Sequence, residues 1–395
     1  MRQIFSPCHR DADLLKSGLL PPTKKSAPWS RLILGAAVSM LAAIGGCGGD
    51  ASPAAGTSSG SAVFNTNPES VAAATTQSVP NSRMKAVLDQ LAALGAKPID
   101  TLTVAQARTQ PTPADAVKAL LVKEGKSTAP ETVGSAVDTT FPGPAGPVPI
   151  TIYTPAGTGP FPVALYIHGG GWVIADRKVY DSSARALTNA AGAIIVSTDY
   201  RLAPENRFPA AHDDVFAAYQ WVRANARSFN GDPTRIAVVG ESAGGNLAAS
   251  IAIQARDQRV PLPLHQVLIY PVANYAFDTP SQIANPDSAP LSTKGLRWFY
   301  ERYLSSPADG ANLRFSILRA GLQGLPPATV INADIDPLRS EGAAYAQKLI
   351  TAGVKVDYRN YSGVTHEFFG MGAVLDEAKL AVAQAALGLR QAFKN

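Results

Sequence analysis

Ile236-Ala237-Val238-Val239-Gly240-Glu241-Ser242-Ala243-Gly244-Gly245-Asn246-Leu247-Ala248-Ala249 is the stretch on which the fold turns. Its first four residues are apolar and β-branched-rich, as a buried strand requires. Its last four open an amphipathic helix. Between them lies Gly240-x-Ser242-x-Gly244, a sharp strand-to-helix turn. Small residues at Gly240 and Gly244 allow the tight backbone and close packing. Such a turn lifts the Ser242 hydroxyl above the sheet, and the helix N-terminus behind it favours developing negative charge.

A serine hydroxyl is a weak nucleophile without a base, and the base needs an orienting partner. Beyond the first 46 residues, the histidines are His168, His212, His265 and His366. His168 opens the run His168-Gly169-Gly170-Gly171, a glycine string of the kind that supplies backbone N–H groups to an oxyanion. His212 falls at the start of a helical stretch and His265 at the start of a strand. His366 follows the strand-like segment Val354–Arg359 across the loop Tyr361-Ser362-Gly363-Val364-Thr365. That leaves His366 as the base, in the order Ser, Asp, His. The acid should follow the strand Ala328–Ala333, where both Asp334 and Asp336 are available. Spacing alone does not separate them.

Working outward, eight segments read as strands: Val133–Thr140, Val148–Tyr153, Pro162–Ile167, Ala193–Thr198, Arg235–Val239, His265–Tyr270, Ala328–Ala333 and Val354–Arg359. The first two form a hairpin around Gly143–Pro147. Helical patterns alternate with the later strands at Val179–Ala191, Ala210–Ala226, Ala243–Ala255, Leu338–Ala352 and Val374–Phe393. Alternation of this kind predicts an α/β fold with a mostly parallel eight-stranded sheet and helices on both faces. Two regions stand outside it. Residues 81–130 carry two helices that precede any strand. Residues 274–312 are Pro-studded, with an aromatic helix holding Trp298, Phe299, Tyr300 and Tyr303. Both are expected to cap the site, leaving 131–395 as the catalytic domain.

The N-terminal region has a different character. Lys24, Lys25 and Arg31 precede an apolar run, Leu32–Ile44, too short for a comfortable membrane span. Ile44-Gly45-Gly46-Cys47 resembles a bacterial lipobox, which implies a signal peptide over residues 1–46 and lipidation of Cys47. Residues 47–80, rich in Gly, Ser, Ala, Pro and Thr, read as a flexible tether. The expected location is the cell envelope, held by the lipid anchor alone. Gly48 after the cysteine, by resemblance to known lipoproteins, favours the outer membrane. A secreted or periplasmic form is the alternative.

The formal charge of the 395 residues is +5. Residues 1–46 hold six basic side chains (Arg2, Arg10, Lys16, Lys24, Lys25, Arg31) and two acidic ones (Asp11, Asp13), so the remainder carries only +1. Nothing in that balance calls for a nucleic-acid partner. Of the two cysteines, Cys8 would leave with the leader and Cys47 would carry lipid, so neither a disulfide nor a thiol nucleophile is expected.

Several blocks in order resemble the hormone-sensitive-lipase-like branch of the α/β-hydrolases, bacterial family IV carboxylesterases, across about residues 80–395. They are His168-Gly169-Gly170-Gly171-Trp172, Asp199–Glu205, Phe208-Pro209-Ala210-Ala211, the elbow around Ser242, Asp336-Pro337-Leu338-Arg339 and His366-Glu367-Phe368-Phe369. The resemblance implies Ser242 as nucleophile, His366 as base and Asp336, before Pro-Leu, as acid. It implies oxyanion donors at Gly170, Gly171 and Ala243. It implies no metal or organic cofactor, and a small ester of short to medium acyl length as substrate. An amidase or acyltransferase would use the same triad, and a catalytically idle ligand-binding relative is the remaining alternative. Two positions depart from the family pattern. Glu241 stands where Asp or Thr more often precedes the serine, and Glu367 where Gly usually follows the histidine. Neither removes a reacting atom, and both bear on pocket electrostatics. Tyr200, Arg201 and Glu205 read as structural residues beneath the site.

Overall fold

The computed structural model describes residues 78–394. The expected leader, Cys47 and nearly all of the 47–80 tether lie outside the described residues. Every segment read as a strand is one: β1 Ser135–Gly143, β2 Gly146–Thr154, β3 Phe161–Ile167, β4 Ile194–Thr198, β5 Gly231–Glu241, β6 Gln266–Ile269, β7 Ala328–Ile335 and β8 Val356–Thr365. They form a single sheet in the order β1-β2-β4-β3-β5-β6-β7-β8. β2 is antiparallel to both β1 and β4, and every other neighbouring pair is parallel. This is the α/β-hydrolase fold expected from the sequence.

The helices are α1 Ser82–Ala93, α2 Val104–Thr109, α3 Pro113–Lys123, α4 Asp181–Ala191, α5 Ala210–Asn225, α6 Ala243–Asp257, α7 Pro280–Ala284, α8 Thr293–Tyr303, α9 Pro307–Gly310, α10 Arg339–Thr351 and α11 Asp376–Ala392. Period-two alternation along the strands divides the core between two faces. Val163, Leu165, Ile167 and Val238 point to one side, where Val215, Leu247, Ile251 and Tyr345 of α5, α6 and α10 cover them. Ala164, Tyr166, Ala237 and Val239 point to the other, beneath Leu187 of α4 and Ala381 and Leu389 of α11. Each fully buried Leu or Val contributes about 1.5–3 kcal/mol through lost apolar exposure. α6 is buried from Ala243 to Ala255, and its many alanines let it lie close to the sheet.

The two N-terminal helices are fixed by local chemistry. Asn81 caps α1 by accepting from the Met84 amide. Thr112 and Asp115 form a capping box at α3, with Pro113 in its first turn. Met84, Val87, Leu120 and Leu121 join the α11-side core, and the Asn81 amide donates to the Gly363 carbonyl at 2.9 Å.

Two expectations need correction. β8 does not stop at Arg359. It runs to Thr365, so His366 follows the strand directly, not across a loop. Ser362-Gly363 reads as turn chemistry, but pairing of Asn360 and Tyr361 with Asn332 and Ala333 of β7 carries the strand onward. α2 was also not expected. It is too short to show a helical period, and its sequence signal is only the capping box formed by Thr103 and Gln106. No helix among the described residues is long and apolar enough to cross a membrane.

Candidate active site

Parallel strands end together, and the site lies where they end. β5 passes into α6 at Ser242, whose backbone (φ 57°, ψ −118°) is one that non-glycine residues rarely adopt. Such a conformation costs on the order of 1–3 kcal/mol. It is held from both sides. A Cβ on Gly240 would lie 2.0 Å from the Gly244 carbonyl oxygen, and one on Gly244 would lie 2.0 Å from that of Ile167. The turn is thus packed directly against the end of β3.

Ser242, His366 and Asp336 come together as one hydrogen-bonded chain. Ser242 Oγ lies 2.9 Å from His366 Nε2. His366 Nδ1 lies 2.6 Å from Asp336 Oδ2. The carboxylate fixes the proton on Nδ1, which leaves Nε2 free to accept from the serine hydroxyl. The other Asp336 oxygen accepts from the Leu338 amide at 2.8 Å. All three side chains are buried. Burial alone would lower the His366 pKa, but Asp336, Glu367 and Glu241 together outweigh it and raise it. Asp334 points elsewhere, to Arg339 Nη1 at 2.8 Å and Asn360 Nδ2 at 3.3 Å. The geometry therefore separates the two aspartates that spacing left open.

The glycine run lies across the gap from Ser242. Gly170 (φ 89°) and Gly171 (φ 57°) both lie in the left-handed region. Among the described residues, the N–H groups of Gly170, Gly171 and Ala243 find no protein acceptor. The loop that presents them is anchored from several directions. Tyr200 donates its hydroxyl to the carbonyls of His168 (3.1 Å) and Gly169 (3.0 Å). The His168 ring stacks on Tyr200 at 4.3 Å between centroids, and its Nδ1 lies 2.8 Å from the Gly169 carbonyl. Trp172 stacks on Tyr303 of α8 at 4.6 Å. Arg201 pairs with buried Asp214 at 2.8 Å. His168 is thus a brace for the loop.

The other histidines are also accounted for. His212 is buried between Tyr303 Oη (2.8 Å) and the Arg314 carbonyl (3.0 Å), and burial drives its pKa down to about 3. His265 meets Thr329 Oγ1 at 2.9 Å, and burial takes its pKa to about 4. Both are neutral structural groups far from a base's working range.

Arg108 had no motif to announce it, and the hydrogen-bond partners of Glu241 and Glu367 could not be read from the motifs that contain them. Arg108 on α2 reaches the Val173 carbonyl (2.9 Å), the Ala203 carbonyl (2.8 Å) and both oxygens of Glu205 (2.8 and 2.7 Å). It clamps the glycine loop to the Asp199–Glu205 block. Next, Glu241 accepts from the hydroxyls of Tyr166 and Tyr270, and the Tyr270 ring packs 4.5 Å from the His366 ring. Burial, then the neighbouring Glu367, push the Glu241 pKa up to about 7. Lastly, Glu367 accepts from Tyr180 Oη at 2.8 Å and lies 3.8 Å from His366 Nε2. Its pKa is raised by burial.

A cavity of about 450 Å³ opens onto Ser242 and His366. Its walls come from Leu88 and Leu91 of α1, from Ile99, from Leu296 and Phe299 of α8, and from the glycine loop. They are mostly apolar, which suits the acyl part of a small substrate. Among the described residues, no cluster of His, Cys, Asp and Glu is arranged to hold a metal.

The comparisons agree with this architecture. A family profile described as an alpha/beta hydrolase fold matches residues 164–370. The carboxylic ester hydrolase LipN of Mycobacterium tuberculosis is 39% identical over 241 residues, 59% of this chain and 64% of its own length. The ethyl acetate hydrolase of Pseudomonas putida is 36% identical over 272 residues, 68% of this chain and 85% of its own. The solved structure of a Pyrobaculum calidifontis esterase has a TM-score of 0.71 at 37% identity. It covers 79% of this chain and 98% of that one.

Proposed function

Since the chain belongs to the hormone-sensitive-lipase-like α/β-hydrolases and is a carboxylic ester hydrolase, we propose that it cleaves short- to medium-chain acyl esters through a Ser242–His366–Asp336 triad and an acyl-enzyme. The observation that carries this reading is the unbroken chain from Ser242 Oγ through both imidazole nitrogens to Asp336, at 2.9 and 2.6 Å.

Ser242 Oγ attacks the ester carbonyl carbon while His366 Nε2 takes its proton. Asp336 stabilises the imidazolium that forms. The carbonyl oxygen, now negative, accepts from the N–H groups of Gly170, Gly171 and Ala243, which have no protein acceptor among the described residues. The tetrahedral species collapses. The C–O bond to the alcohol breaks, and Nε2 returns its proton to that oxygen. Water then enters, loses a proton to Nε2 and attacks the acyl carbon. When the second intermediate collapses, the acyl C–Oγ bond breaks and Nε2 gives that proton to Ser242 Oγ, which releases the carboxylic acid and restores the serine hydroxyl. The raised His366 pKa, a consequence of Asp336 and the two nearby glutamates, suits a base that must both take and return a proton near neutrality.

The size of the cavity and its apolar walls support the acyl range, and α1 and α8 act in this reading as the cap that shields the acyl-enzyme from bulk water. Initial rates on p-nitrophenyl esters of increasing acyl length test it. A Ser242-dependent optimum at short to medium chains is expected. An optimum at long chains, or no turnover by folded protein, would overturn it.

The leader supports a separate proposal, an envelope protein held by lipid on Cys47. Cys47→Ser should move the protein from the membrane fraction to the soluble one. Retention in the membrane would rule out that anchor.

A further inference from the structure

We propose that Glu367 forms an acceptor subsite for the alcohol half of the ester, favouring esters whose leaving alcohol carries a second hydroxyl on the adjacent carbon, that is, monoesters of vicinal diols and polyols. The proposal rests on the esterase reading above.

Position decides which half of the substrate Glu367 meets. The leaving oxygen must come within about 3 Å of His366 Nε2 to receive its proton. Glu367 Oε1 lies 3.8 Å from that same nitrogen. A hydroxyl on the neighbouring carbon of the alcohol is then carried to the Glu367 carboxyl group. The acyl chain departs from the opposite side of the carbonyl, toward the apolar wall.

The chemistry of Glu367 fits a ligand better than a structural role. Its backbone has φ 70°, in the left-handed region that disfavours side chains with a Cβ. Its carboxyl group is largely withdrawn from water, with 20% of the side chain exposed, and it lines the cavity. In return it receives one hydrogen bond, from Tyr180 to Oε1. Oε2 has no protein donor among the described residues. The cavity lining is otherwise mostly apolar, with Val272, Leu291 and Leu296 among its residues. At the cavity rim, Asp287 is already paired with Lys294 at 2.6 Å. A plain alkyl alcohol bound here would bury Oε2 without a donor, which is the costly case for a polar group. A vicinal hydroxyl supplies that donor.

The test compares 2-hydroxyethyl butyrate with propyl butyrate, which differ by OH for CH₃, using the full chain. The readout is the ratio of their kcat/KM values, normalised to alkaline hydrolysis. In the wild type the hydroxyethyl ester should be favoured roughly tenfold, a modest value for a site built to bond a hydroxyl. Glu367→Gly, which suits the left-handed backbone and so guards against misfolding, should bring the ratio to about one. Glu367→Gln keeps an acceptor oxygen and should restore part of the preference. An equal ratio in wild type and Glu367→Gly would overturn the subsite while leaving the esterase intact. Inertness of the wild type toward both esters and toward p-nitrophenyl butyrate would overturn the esterase reading, and the subsite with it.

Discussion

Asp336 and His366 each follow directly on the last paired residues of two neighbouring strands. Ile335 of β7 pairs with Thr365 of β8, and the next residues of each chain are joined by the 2.6 Å Nδ1–Oδ2 contact. The register of the sheet edge thereby sets Asp336 and His366 side by side. The register shifts between Ala333 and Ile335, and that irregularity turns Asp334 toward Arg339 and leaves Asp336 to the imidazole.

This separation gives a first prediction. Asp336→Asn should reduce kcat by about 10³–10⁴, because an amide no longer enforces the correct tautomer or stabilises the imidazolium. Asp334→Asn removes an ion pair with Arg339 and alters a contact with Asn360, neither of which touches Ser242 or His366. Its activity on p-nitrophenyl butyrate should stay within a few-fold of wild type. Equal losses in the two variants would reverse the assignment.

A second prediction concerns the glycine loop. A Cβ on Gly171 would lie 2.2 Å from the Phe299 ring, and φ 57° already disfavours any side chain there. Gly171→Ala should displace a donor aimed at the oxyanion and lower kcat by about 10²–10³. The cost should fall on kcat more than on KM, since the oxyanion forms only in the transition state. A change confined to KM would argue against an oxyanion role.

The pH–rate profile supplies a third. Asp336, Glu367 and Glu241 together raise the His366 pKa against the lowering effect of burial. Only neutral imidazole can take the serine proton, so activity should fall below that pKa. Removing a carboxylate charge should move the acidic limb to lower pH. Glu367→Gln is therefore expected to extend activity toward acid, as read from kcat/KM against pH. A limb that stays in place or moves upward would contradict this electrostatic coupling.

Stability should also depend on Glu241. An unfolded glutamate titrates near 4.5, whereas the buried one is pushed up to about 7. Between those values the folded state holds a proton that the unfolded state has lost. Folding stability from this group is thus full below pH 4.5 and is lost as pH rises toward 7, by on the order of 3 kcal/mol. Glu241→Gln removes the titration. Urea unfolding at pH 5 and pH 8 should show wild type losing more stability than the variant over that interval. Parallel losses would exclude Glu241 as the source.

Much of this architecture was legible because it is encoded locally. Runs such as Val163–Ile167 and Ile236–Val239 declare strands, and the glycines flanking Ser242 declare the turn. The order Ser, Asp, His could be read along the chain, but spacing left Asp334 and Asp336 both open and only the family resemblance favoured Asp336. What escaped was set by contacts between distant segments. β8 runs on because β7 offers Asn332 and Ala333 as partners to its Asn360 and Tyr361. α2 had too few residues for a period, yet its Arg108 holds the glycine loop. The hydroxyls of Tyr166 and Tyr270 on Glu241, and of Tyr180 on Glu367, join residues from different strands and loops that no spacing rule connects.

The nucleophile is the central claim, and covalent capture tests it most directly. The full chain is treated with a fluorophosphonate, which reacts with an activated serine hydroxyl, and the adduct is mapped by peptide mass spectrometry. A single adduct on Ser242 is expected, absent in Ser242→Ala and strongly slowed in His366→Ala. Labelling at another residue, or no labelling of folded wild-type protein, would contradict a Ser242–His366–Asp336 mechanism.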